Sequence, residues 1–485
     1  MTRLVDLAHT GGKIYSNGWR ESAGGSIKVT EPATGAVLAE VGVGAPEDVR
    51  AAVADARRAQ PAWQARPAPE RAEVLRRAAA VLADNTDEVV EWLIRESGSV
   101  RAKAEYEVRS ALDELWAAAA LPIRPYGALL PDPAGRQSIG RRVPMGTVGV
   151  ISPWNVPLLL ALRAVAPALA LGNAVVLKPD VHTAVSGGHV VAAIFERAGL
   201  PSGALHVLAG GPETGQALVR DPGIDMIAFT GSSAVGRWIG AEAGGALKRV
   251  SLELGGNNAI VVLDDADVAQ AAAAGAWSSF FHQGQVCMAA GRHIVVASVA
   301  ERYVAELCRH AAEATVGNPW VDDVTLGPLI NSSQVERVER IVRESVAAGA
   351  VLRQGGTSDG LFYQPTVLTE VTPQMPAFAE EIFGPVAPVV VVSDENEAVE
   401  VANMTEYGLV TSVYTGSVSR GSALADRLAT GIVHINDPTI DDNAFVPFGG
   451  RGASGNGHRH GVEQNWEEFT QWQWLTVPAA VGSGT

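Results

Sequence analysis

Three residues of this 485-residue chain combine a chemically reactive or hydrogen-bonding side chain with a sequence context in which it could take part in a reaction. Cys287 follows a Gly-Gln turn, and a single cysteine there is either a small buried hydrophobic residue or a nucleophile. Glu253 lies at an apolar strand end, which raises a carboxyl pKa towards the value that a general base needs; pairing with a buried donor is the alternative. Asn155, in the stretch SPWNVP, is either a structural turn residue or an amide donor held rigidly at a cleft.

A glycine-containing loop, FTGSSAVG, offers a different chemistry. Gly231 permits a close approach of the backbone, and Ser232 or Ser233 is placed to cap the helix that follows. The positive end of that helix favours a phosphate group. A plain helix cap, without a ligand, is the alternative interpretation.

Composition narrows the classes of protein to which the chain can belong. The 37 basic and 53 acidic residues give a net charge of −16, which argues against nucleic acid or an anionic membrane surface as the main partner. Cys287 and Cys308 are the only cysteines, too few for a disulfide scaffold, and the histidines lack metal-ligand spacing, so no metal site is predicted. No signal peptide or apolar run of membrane-spanning length occurs, and we expect a cytoplasmic protein.

These residues need elements that bring them together, and strands alternating with helices from Thr147 onwards predict such a scaffold. Helices of this length between strands imply parallel pairing in a doubly wound sheet, which binds nucleotides at the carboxyl ends of its strands. The helix predicted at 157–171 is apolar almost all round, so we expect it to be buried. The predicted strands are 147–152, 174–178, 204–208, 226–229 and 250–254, and the other helices are 184–198, 213–219 and 234–243.

The rest of the chain predicts a second α/β lobe, an arm and a tail. Helices are expected at 46–63, 69–97 and 101–120, and an extended arm at 136–143. A tail strand at 472–477 has two different faces and could pair outside its own lobe. In the second lobe, the predicted strands are 293–297, 387–392, 412–414 and 432–435, and the helices are 299–314, 334–348, 395–403 and 420–430.

Seven motifs in order cover nearly the whole chain: SPWNxP, KP, FTGS, LELGGN, GQxC, EEIFGPV and PFGG. Together they resemble the NAD(P)-dependent aldehyde dehydrogenase superfamily, and the stretches 162–180, 434–440 and 465–475 are similar to its benzaldehyde and vanillin dehydrogenase branch. The resemblance implies an α/β fold with a Rossmann-type parallel-sheet cofactor domain, a second α/β catalytic domain and a small β oligomerisation element. The expected bounds are 1–122 with 145–254, then 255–452, and finally 123–144 with 466–485.

The resemblance also implies a role for each matched residue. Cys287 matches the nucleophile, Glu253 the general base and Asn155 the side-chain donor to the oxyanion, while Val156 and Phe448 would line the substrate pocket. Because a free thiol is only slightly ionised at neutral pH, we expect the site to favour the thiolate. Contacts to an NAD or NADP cofactor are implied for Ile151, Trp154, Lys178, Gly211, Gly231, Ser232, Leu254, Glu381 and Phe383.

The implied reaction is oxidation of an aldehyde, expected to be aromatic, to the carboxylic acid through a thiohemiacetal and a thioester on Cys287. Val156 is smaller than the phenylalanine of many aliphatic-aldehyde relatives, and the loop from Phe445 to Phe448 could stack on a ring. Val181 stands where NAD-preferring relatives carry a ribose-binding glutamate, so no carboxylate is expected there to repel a 2′-phosphate. The choice between NAD and NADP therefore stays open.

Rival interpretations concern the fate of the thioester and the substrate. A broad-range aliphatic or semialdehyde dehydrogenase would use the same machinery. An acylating dehydrogenase would typically lack the Glu253 equivalent, and a non-catalytic paralogue would not be expected to keep Cys287, Glu253 and Asn155 together. A homo-oligomer, dimer or tetramer, is expected from the family.

Overall fold

The computed structural model describes residues 3–132 and 134–478 of the chain. Strands and helices alternate along most of it, and the α/β prediction is confirmed. The strands are β1 Lys13–Ser16, β2 Trp19–Glu21, β3 Ser26–Thr30, β4 Val37–Gly42, β5 Gly127–Leu130, β6 Gln137–Pro144, β7 Thr147–Ile151, β8 Ala174–Lys178, β9 Leu205–Val207, β10 Met226–Thr230, β11 Arg249–Glu253, β12 Asn258–Val262, β13 Ala290–Val296, β14 Val351–Gln354, β15 Ser358–Asp359, β16 Phe362–Tyr363, β17 Thr366–Thr369, β18 Val386–Val392, β19 Tyr407–Gly408, β20 Val410–Tyr414, β21 Ile432–Ile435, β22 Arg451–Gly452 and β23 Thr470–Val477.

Helices cover the faces of the sheets and fill the N-terminal part of the chain. They are α1 Leu7–Thr10, α2 Pro46–Gln64, α3 Ala68–Asp84, α4 Thr86–Ser97, α5 Arg101–Ala120, α6 Pro157–Ala170, α7 Val190–Arg197, α8 Pro212–Arg220, α9 Ser233–Gly245, α10 Val268–Phe280, α11 Ala297–Glu313, α12 Ser332–Ala347, α13 Pro376–Ala379, α14 Glu395–Asn403, α15 Val418–Ala425 and α16 Val462–Glu468.

The first large sheet has the strand order β11-β10-β7-β8-β9-β1-β2. Its strands from β7 to β11 pair in parallel, while β1 and β2 pair antiparallel at one edge. The strand order reverses between β7 and β10, where Ile151 is in register with Phe229. In open α/β sheets, ligands bind at the carboxyl ends of the strands on either side of such a reversal. This point therefore locates the crevice of the sheet.

Helix α6 shows why the strands at this point are held firmly. Pro157 occupies its first turn, where the missing N–H costs nothing, and every residue from Pro157 to Ala170 except Leu160 is buried. The sequence prediction of a buried helix is confirmed. Because β7 and β8 are buried along their whole length as well, the loop that follows β7 starts from a rigid base.

The second large sheet has the order β14-β17-β18-β13-β12-β20-β21 and is parallel except for β14. Its strand β12 begins five residues after Glu253, so the chain passes from the last strand of one sheet into the middle of the other. A third sheet, β23-β6-β5, joins the predicted arm to the predicted tail in antiparallel pairing from Gln137–Val477 to Pro144–Thr470. The part of the predicted tail beyond residue 478 lies outside the described residues.

Several element predictions were wrong in extent. The helix expected at 69–97 is two helices, because Asn85 leaves the helical conformation and its side chain donates to the carbonyl of Val81 at 2.7 Å. The helix expected at 184–198 opens with a π-helical turn, Val185–His189, whose first N–H groups donate to the buried Glu96. The helix expected at 420–430 is α15, which ends at Ala425.

Sequence reasoning missed β12 and α10. All five residues of β12 are buried, so no polar alternation marks it as a strand, and it directly follows the glycines of the LELGGN motif. Helix α10 is rich in alanine and has a weak amphipathic pattern. Both elements matter because α10 leads into the loop that carries Cys287, and Asn258 of β12 donates to the Cys287 carbonyl at 2.8 Å.

Candidate active site

Two adjoining cavities open at the strand-order reversal of the first sheet. The thiol cavity is lined by Pro153, Trp154, Asn155, Leu160, Thr230, Gly231, Ser232, Leu254, Gly255, Cys287, Gln334, Arg337, Glu381 and Phe383. The strand-end cavity shares Pro153, Trp154, Thr230, Gly231 and Ser232 with it and extends to Ile151, Lys178, Asp180, Val181, His182 and Gly211. Loops after β7, β10 and β11 thus meet residues of the second sheet's loops at one place.

Cys287 lies in a turn between α10 and β13 and faces the thiol cavity. Burial, together with the nearby carboxyl groups of Glu381 and Glu253, raises the pKa of its thiol to about 12. The expectation that the site by itself favours the thiolate was therefore wrong. The physical reason is that the thiol is desolvated among carboxyl groups rather than beside a free cation.

Asn155 is held by hydrogen bonds at both its backbone and its side chain. Its carbonyl accepts from the buried Lys103 ammonium at 2.8 Å, and its side-chain Nδ2 donates to the carbonyl of Gln285 at 2.8 Å. Lys103 is itself paired with Glu107 at 2.6 Å. An amide nitrogen carries two hydrogens, so Asn155 retains a second donor next to Cys287. The Cys287 N–H makes no hydrogen bond within the part of the chain that is described.

Glu253 is the last residue of β11 and is buried. Neither carboxyl oxygen has a hydrogen-bond partner among the described residues, and burial raises the pKa of Glu253 well above its usual range. Its carboxyl group lies against Gly449, where an added Cβ would come within 2.8 Å of Oε1. The structure therefore brings Glu253 close enough to influence the Cys287 thiol but does not place it in the cavity wall.

Glu381 and Phe383 enter the thiol cavity from the second sheet. Glu381 accepts the Gly256 N–H at 2.9 Å, and burial raises its pKa to about 7. Phe383 meets Trp154 edge to face at 5.5 Å between ring centroids. Leu254 lies in the same wall, so these four predicted residues lie together.

The strand-end cavity has the shape and the donors that a dinucleotide needs. A Cβ added at Gly211 would meet no atom within 4 Å, so the backbone there borders open space. Ser232 is the N-cap of α9, where its side chain accepts from Val235 N, and the positive end of this helix faces the cavity. Lys178, at the end of β8, lines the same space, as does Ile151. These residues fit a bound NAD or NADP.

Gly231 is required for an additional reason. A Cβ at this position would come within 2.5 Å of the Phe229 ring, so a larger residue would disturb the end of β10 even without a ligand. The two interpretations of the FTGSS loop are compatible, because a helix cap and a phosphate site share the same geometry.

Position 181 carries no carboxylate, as expected, but the residue before it does and faces the same cavity. Asp180 lines the strand-end cavity and accepts from the backbone N–H and the Nδ1 of His182 at 2.9 and 2.7 Å. Although burial opposes it, the hydrogen bond from His182 and the charge of Lys178 lower the pKa of Asp180. Sequence reasoning examined only the third residue after Lys178 and so overlooked the second and the fourth.

A third space, the α6 cavity, runs from Cys287 along one face of α6. Val156 and Phe448 line it, whereas Phe445 is 63% exposed and does not. Three charged residues that sequence reasoning missed line it as well: Lys103, Arg163 and Asp442. Arg163 interrupts a helix that is otherwise apolar, and that was the available signal of a buried ion pair.

The described residues contain neither a membrane-spanning helix nor a cluster of metal ligands. Within residues 3–132 and 134–478, no helix has both the length and the apolarity to cross a bilayer. In the same ranges, no group of three or more His, Cys, Asp or Glu side chains is arranged to hold a metal ion.

Comparison with known proteins gives long matches. The model of the Aldehyde dehydrogenase family matches residues 19–475. The chain is 51% identical over 478 residues to a vanillin dehydrogenase of Amycolatopsis sp. (strain ATCC 39116 / 75iv2), with 98% of each chain covered. It is 50% identical over 467 residues to a benzaldehyde dehydrogenase (NAD+) of Pseudomonas putida, with 96% of each covered. A crystal structure of an NADP-dependent enzyme of E. coli superposes with a TM-score of 0.94 at 34% identity, covering 98% of this chain and all of the other.

Proposed function

The chain belongs to the aldehyde dehydrogenase family, and on that premise we propose that it oxidises aromatic aldehydes to carboxylic acids with NAD+ or NADP+. The observation that carries the proposal is the position of Cys287, which lines both the thiol cavity and the largely apolar α6 cavity. An aromatic ring in the α6 cavity would have its carbonyl at the thiol. Vanillin and benzaldehyde are the substrates named for the two similar relatives.

Cys287 is the proposed nucleophile. After the thiol has lost its proton to solvent, the sulfur adds to the carbonyl carbon and forms a thiohemiacetal whose oxygen carries the negative charge. The free second N–H of Asn155 and the Cys287 backbone N–H would stabilise that charge. When bound, the nicotinamide ring supplies the hydride acceptor. Collapse of the oxyanion with loss of hydride leaves a thioester on Cys287.

Glu253 is the proposed base for the second half of the reaction. Because burial raises the pKa of its carboxyl group well above the usual range, its carboxylate binds a proton more strongly than that of an exposed glutamate. It would take one proton from water as that water attacks the thioester, and the other proton would pass to the sulfur, which releases the carboxylate and returns the Cys287 thiol. This role favours hydrolysis over acyl transfer to another acceptor.

The cofactor contacts follow from the walls of the two cavities. Lys178 and Ser232 would bind the adenosine ribose and the pyrophosphate, with Gly211 and Gly231 at the closest backbone approach. Glu381 would hold the nicotinamide ribose, beside Phe383. Ile151, Trp154 and Leu254 would pack where the cofactor and the substrate meet.

The domain division expected from the sequence is retained as part of the proposal. The first sheet supports a cofactor domain at 1–122 with 145–254, and the second sheet supports a catalytic domain at 255–452. The three-stranded sheet is the proposed contact of a homo-oligomer, dimer or tetramer, since it exposes Leu129, Trp472 and Trp474. We place the protein in the cytoplasm, where its two free cysteines would stay reduced.

A substrate panel with NAD and NADP, followed by absorbance of the reduced cofactor, tests the proposal. We expect kcat/KM for benzaldehyde or vanillin to exceed that for acetaldehyde by about a hundredfold, or about 2.7 kcal/mol, because a buried ring removes apolar area from water. Betaine aldehyde serves as a second non-aromatic comparison. Equal kcat/KM values for acetaldehyde and the best aromatic aldehyde would contradict the aromatic substrate and leave only the reaction class, the oxidation of an aldehyde.

A further inference from the structure

A buried carboxyl oxygen without a partner lies in the wall of the α6 cavity. The Asp442 side chain is only 6% exposed and lines the cavity with Cys287. Its Oδ2 accepts from Arg163 Nη2, but Oδ1 has no hydrogen-bond partner in the described chain. Leaving a buried acceptor unpaired destabilises the folded protein, because the acceptor has lost its hydrogen bonds to water without gaining another. Such an atom in a substrate cavity indicates a donor that arrives with the ligand.

Helix α6 sets the distance of this group from the reacting end of the cavity. Val156, Leu159, Leu160 and Arg163 all line the α6 cavity, which is the i, i+3, i+4, i+7 spacing of one helix face. At 1.5 Å per residue, Arg163 is about 10 Å along the axis from Val156, which follows Asn155 directly. Along this helix face, the side chains are therefore apolar near the thiol and charged roughly one substituted ring farther on. Lys103 also lines the cavity, and its charge is paired with Glu107 at 2.6 Å.

The charge around Asp442 selects the chemistry of the ligand. Arg163 is paired with two carboxyl groups, Glu114 at 2.8 Å and Asp442, so its positive charge is already balanced and the unpartnered Asp442 oxygen is the group left to meet a ligand. Tyr106 donates its hydroxyl to the Asp442 carbonyl at 3.0 Å and adds no charge. An anionic substituent would be repelled. A cationic one would lose its hydration among apolar walls and meet Arg163.

A neutral donor meets all these conditions. We propose that Asp442 Oδ1 accepts a hydrogen bond from the meta or para ring hydroxyl of a hydroxylated aromatic aldehyde whose carbonyl lies at Cys287. Arg163 is a positioning residue that holds Asp442, and it stacks on Phe448 at 4.9 Å, which forms a wall for the ring. The inference rests on the proposed function and adds the substituent that the site prefers.

The first experiment compares kcat/KM for benzaldehyde and its 2-, 3- and 4-hydroxy isomers in the wild type, Asp442→Asn and Asp441→Asn. The amide retains an oxygen for Arg163 but presents N–H groups to a hydroxyl. We expect the preference for the 3- or 4-hydroxy isomer over benzaldehyde to fall about tenfold or more in Asp442→Asn, as for loss of a hydrogen bond to a charged group. The 2-hydroxy isomer keeps its hydroxyl beside Cys287, so its ratio should not change. Asp441 is exposed, and its variant should behave as the wild type.

Each other outcome has a definite meaning. An unchanged preference in Asp442→Asn, or an equal loss for benzaldehyde and all isomers, overturns the inference. A wild type that does not oxidise benzaldehyde overturns the proposed function instead.

A second measurement does not depend on turnover. In Cys287→Ala, bound 4-hydroxybenzaldehyde should lose its phenolic proton at a higher pH than in free solution, because a carboxylate acceptor favours the neutral phenol. Absorbance distinguishes the phenol from the phenolate. Adding Asp442→Asn should remove the rise. A bound phenol that ionises at a lower pH than the free one would mean that Arg163 holds a phenolate, and the inference would be wrong.

Discussion

The side-chain amide of Asn155 donates a 2.8 Å hydrogen bond to the carbonyl oxygen of Gln285, two residues before Cys287. This contact joins the loop after β7 to the loop before β13, and so couples the two large sheets at the thiol. It also fixes the amide plane, which determines where the second N–H points.

Asn155→Ala should therefore slow hydride transfer by about 10²–10³, or about 3–4 kcal/mol, as when other oxyanion donors are removed. Single-turnover formation of reduced cofactor measures the step. A variant with wild-type rates would exclude Asn155 from oxyanion stabilisation.

Cys287→Ala should abolish dehydrogenase turnover and leave cofactor binding largely intact, because the strand-end cavity is built without this side chain. Steady-state turnover checks the loss of activity, and cofactor titration followed by fluorescence checks the retained cofactor binding. Cys308→Ala is the matched control. Cys308 belongs to α11 and packs against the hydrophobic core away from the cavities, so its replacement should affect stability at most. Near-normal turnover of Cys287→Ala would refute the mechanism.

Glu253→Gln should form the acyl-enzyme and release a burst of reduced cofactor, then stall, because only the activation of water is lost. Rapid mixing with benzaldehyde resolves the two phases. A slow first turnover without a burst would assign Glu253 to thiol activation.

The Cys287 thiol should be slow to alkylate at neutral pH. Its pKa is raised to about 12 by burial and by Glu381 and Glu253, so the thiolate is scarce below that value and increases about tenfold per pH unit. Iodoacetamide labelling of Cys308→Ala from about pH 7 to about pH 10 should rise without a plateau. Glu381→Gln removes a negative charge, lowers the thiol pKa and should speed labelling at each pH. A plateau within this range would contradict the raised pKa.

Cofactor choice should be permissive, and NADP use should decline as pH rises. The hydrogen bond to Asp180 raises the pKa of His182, so the imidazolium persists to higher pH than in free histidine and is lost above the raised value. Together with Lys178 it would attract a 2′-phosphate, against the charge of Asp180. The ratio of kcat/KM for NADP to that for NAD measures the effect.

His182→Gln is the control for this pH dependence, because it removes the imidazole but not the ionisation of the phosphate itself. Val181→Glu should shift preference towards NAD. A wild type more than about a thousandfold selective for NAD, about 4 kcal/mol, would contradict permissive use.

The sequence predicts elements best where their residues are nearly all apolar. The buried strand β8 and the buried helix α6 could be predicted because both are apolar apart from Lys178 and Arg163. The break at Asn85 could not, since a side chain bonding to its own backbone competes locally with the helix. Strand β12 is as buried as β8, but it was missed because it directly follows the glycines of the LELGGN motif.

The candidate site could be predicted as far as single motifs reach. Most of the predicted residues that line the thiol and strand-end cavities lie within short motifs, which the sequence displays directly, whereas Gln334 and Arg337 of α12 lie in none of them. Asp442 and Arg163 are 279 positions apart, and only their contact in the fold turns two ordinary charged residues into one wall. The carboxylate neighbours that raise the Cys287 pKa are of the same kind, because desolvation depends on what packs around a group.

The pairing of β6 with β23 has a consequence for biosynthesis. Arg141 Nε donates to Gln473 Oε1 at 2.8 Å across 332 positions of the chain. At roughly 5–20 residues per second, a ribosome needs on the order of tens of seconds to make that interval. During this time β6 is paired with β5, which exposes the apolar Leu129 and Leu130, and the other edge of β6 is unpaired. A nascent chain that stalls before β23 is made would therefore carry an unpaired strand edge, to which another extended segment could pair.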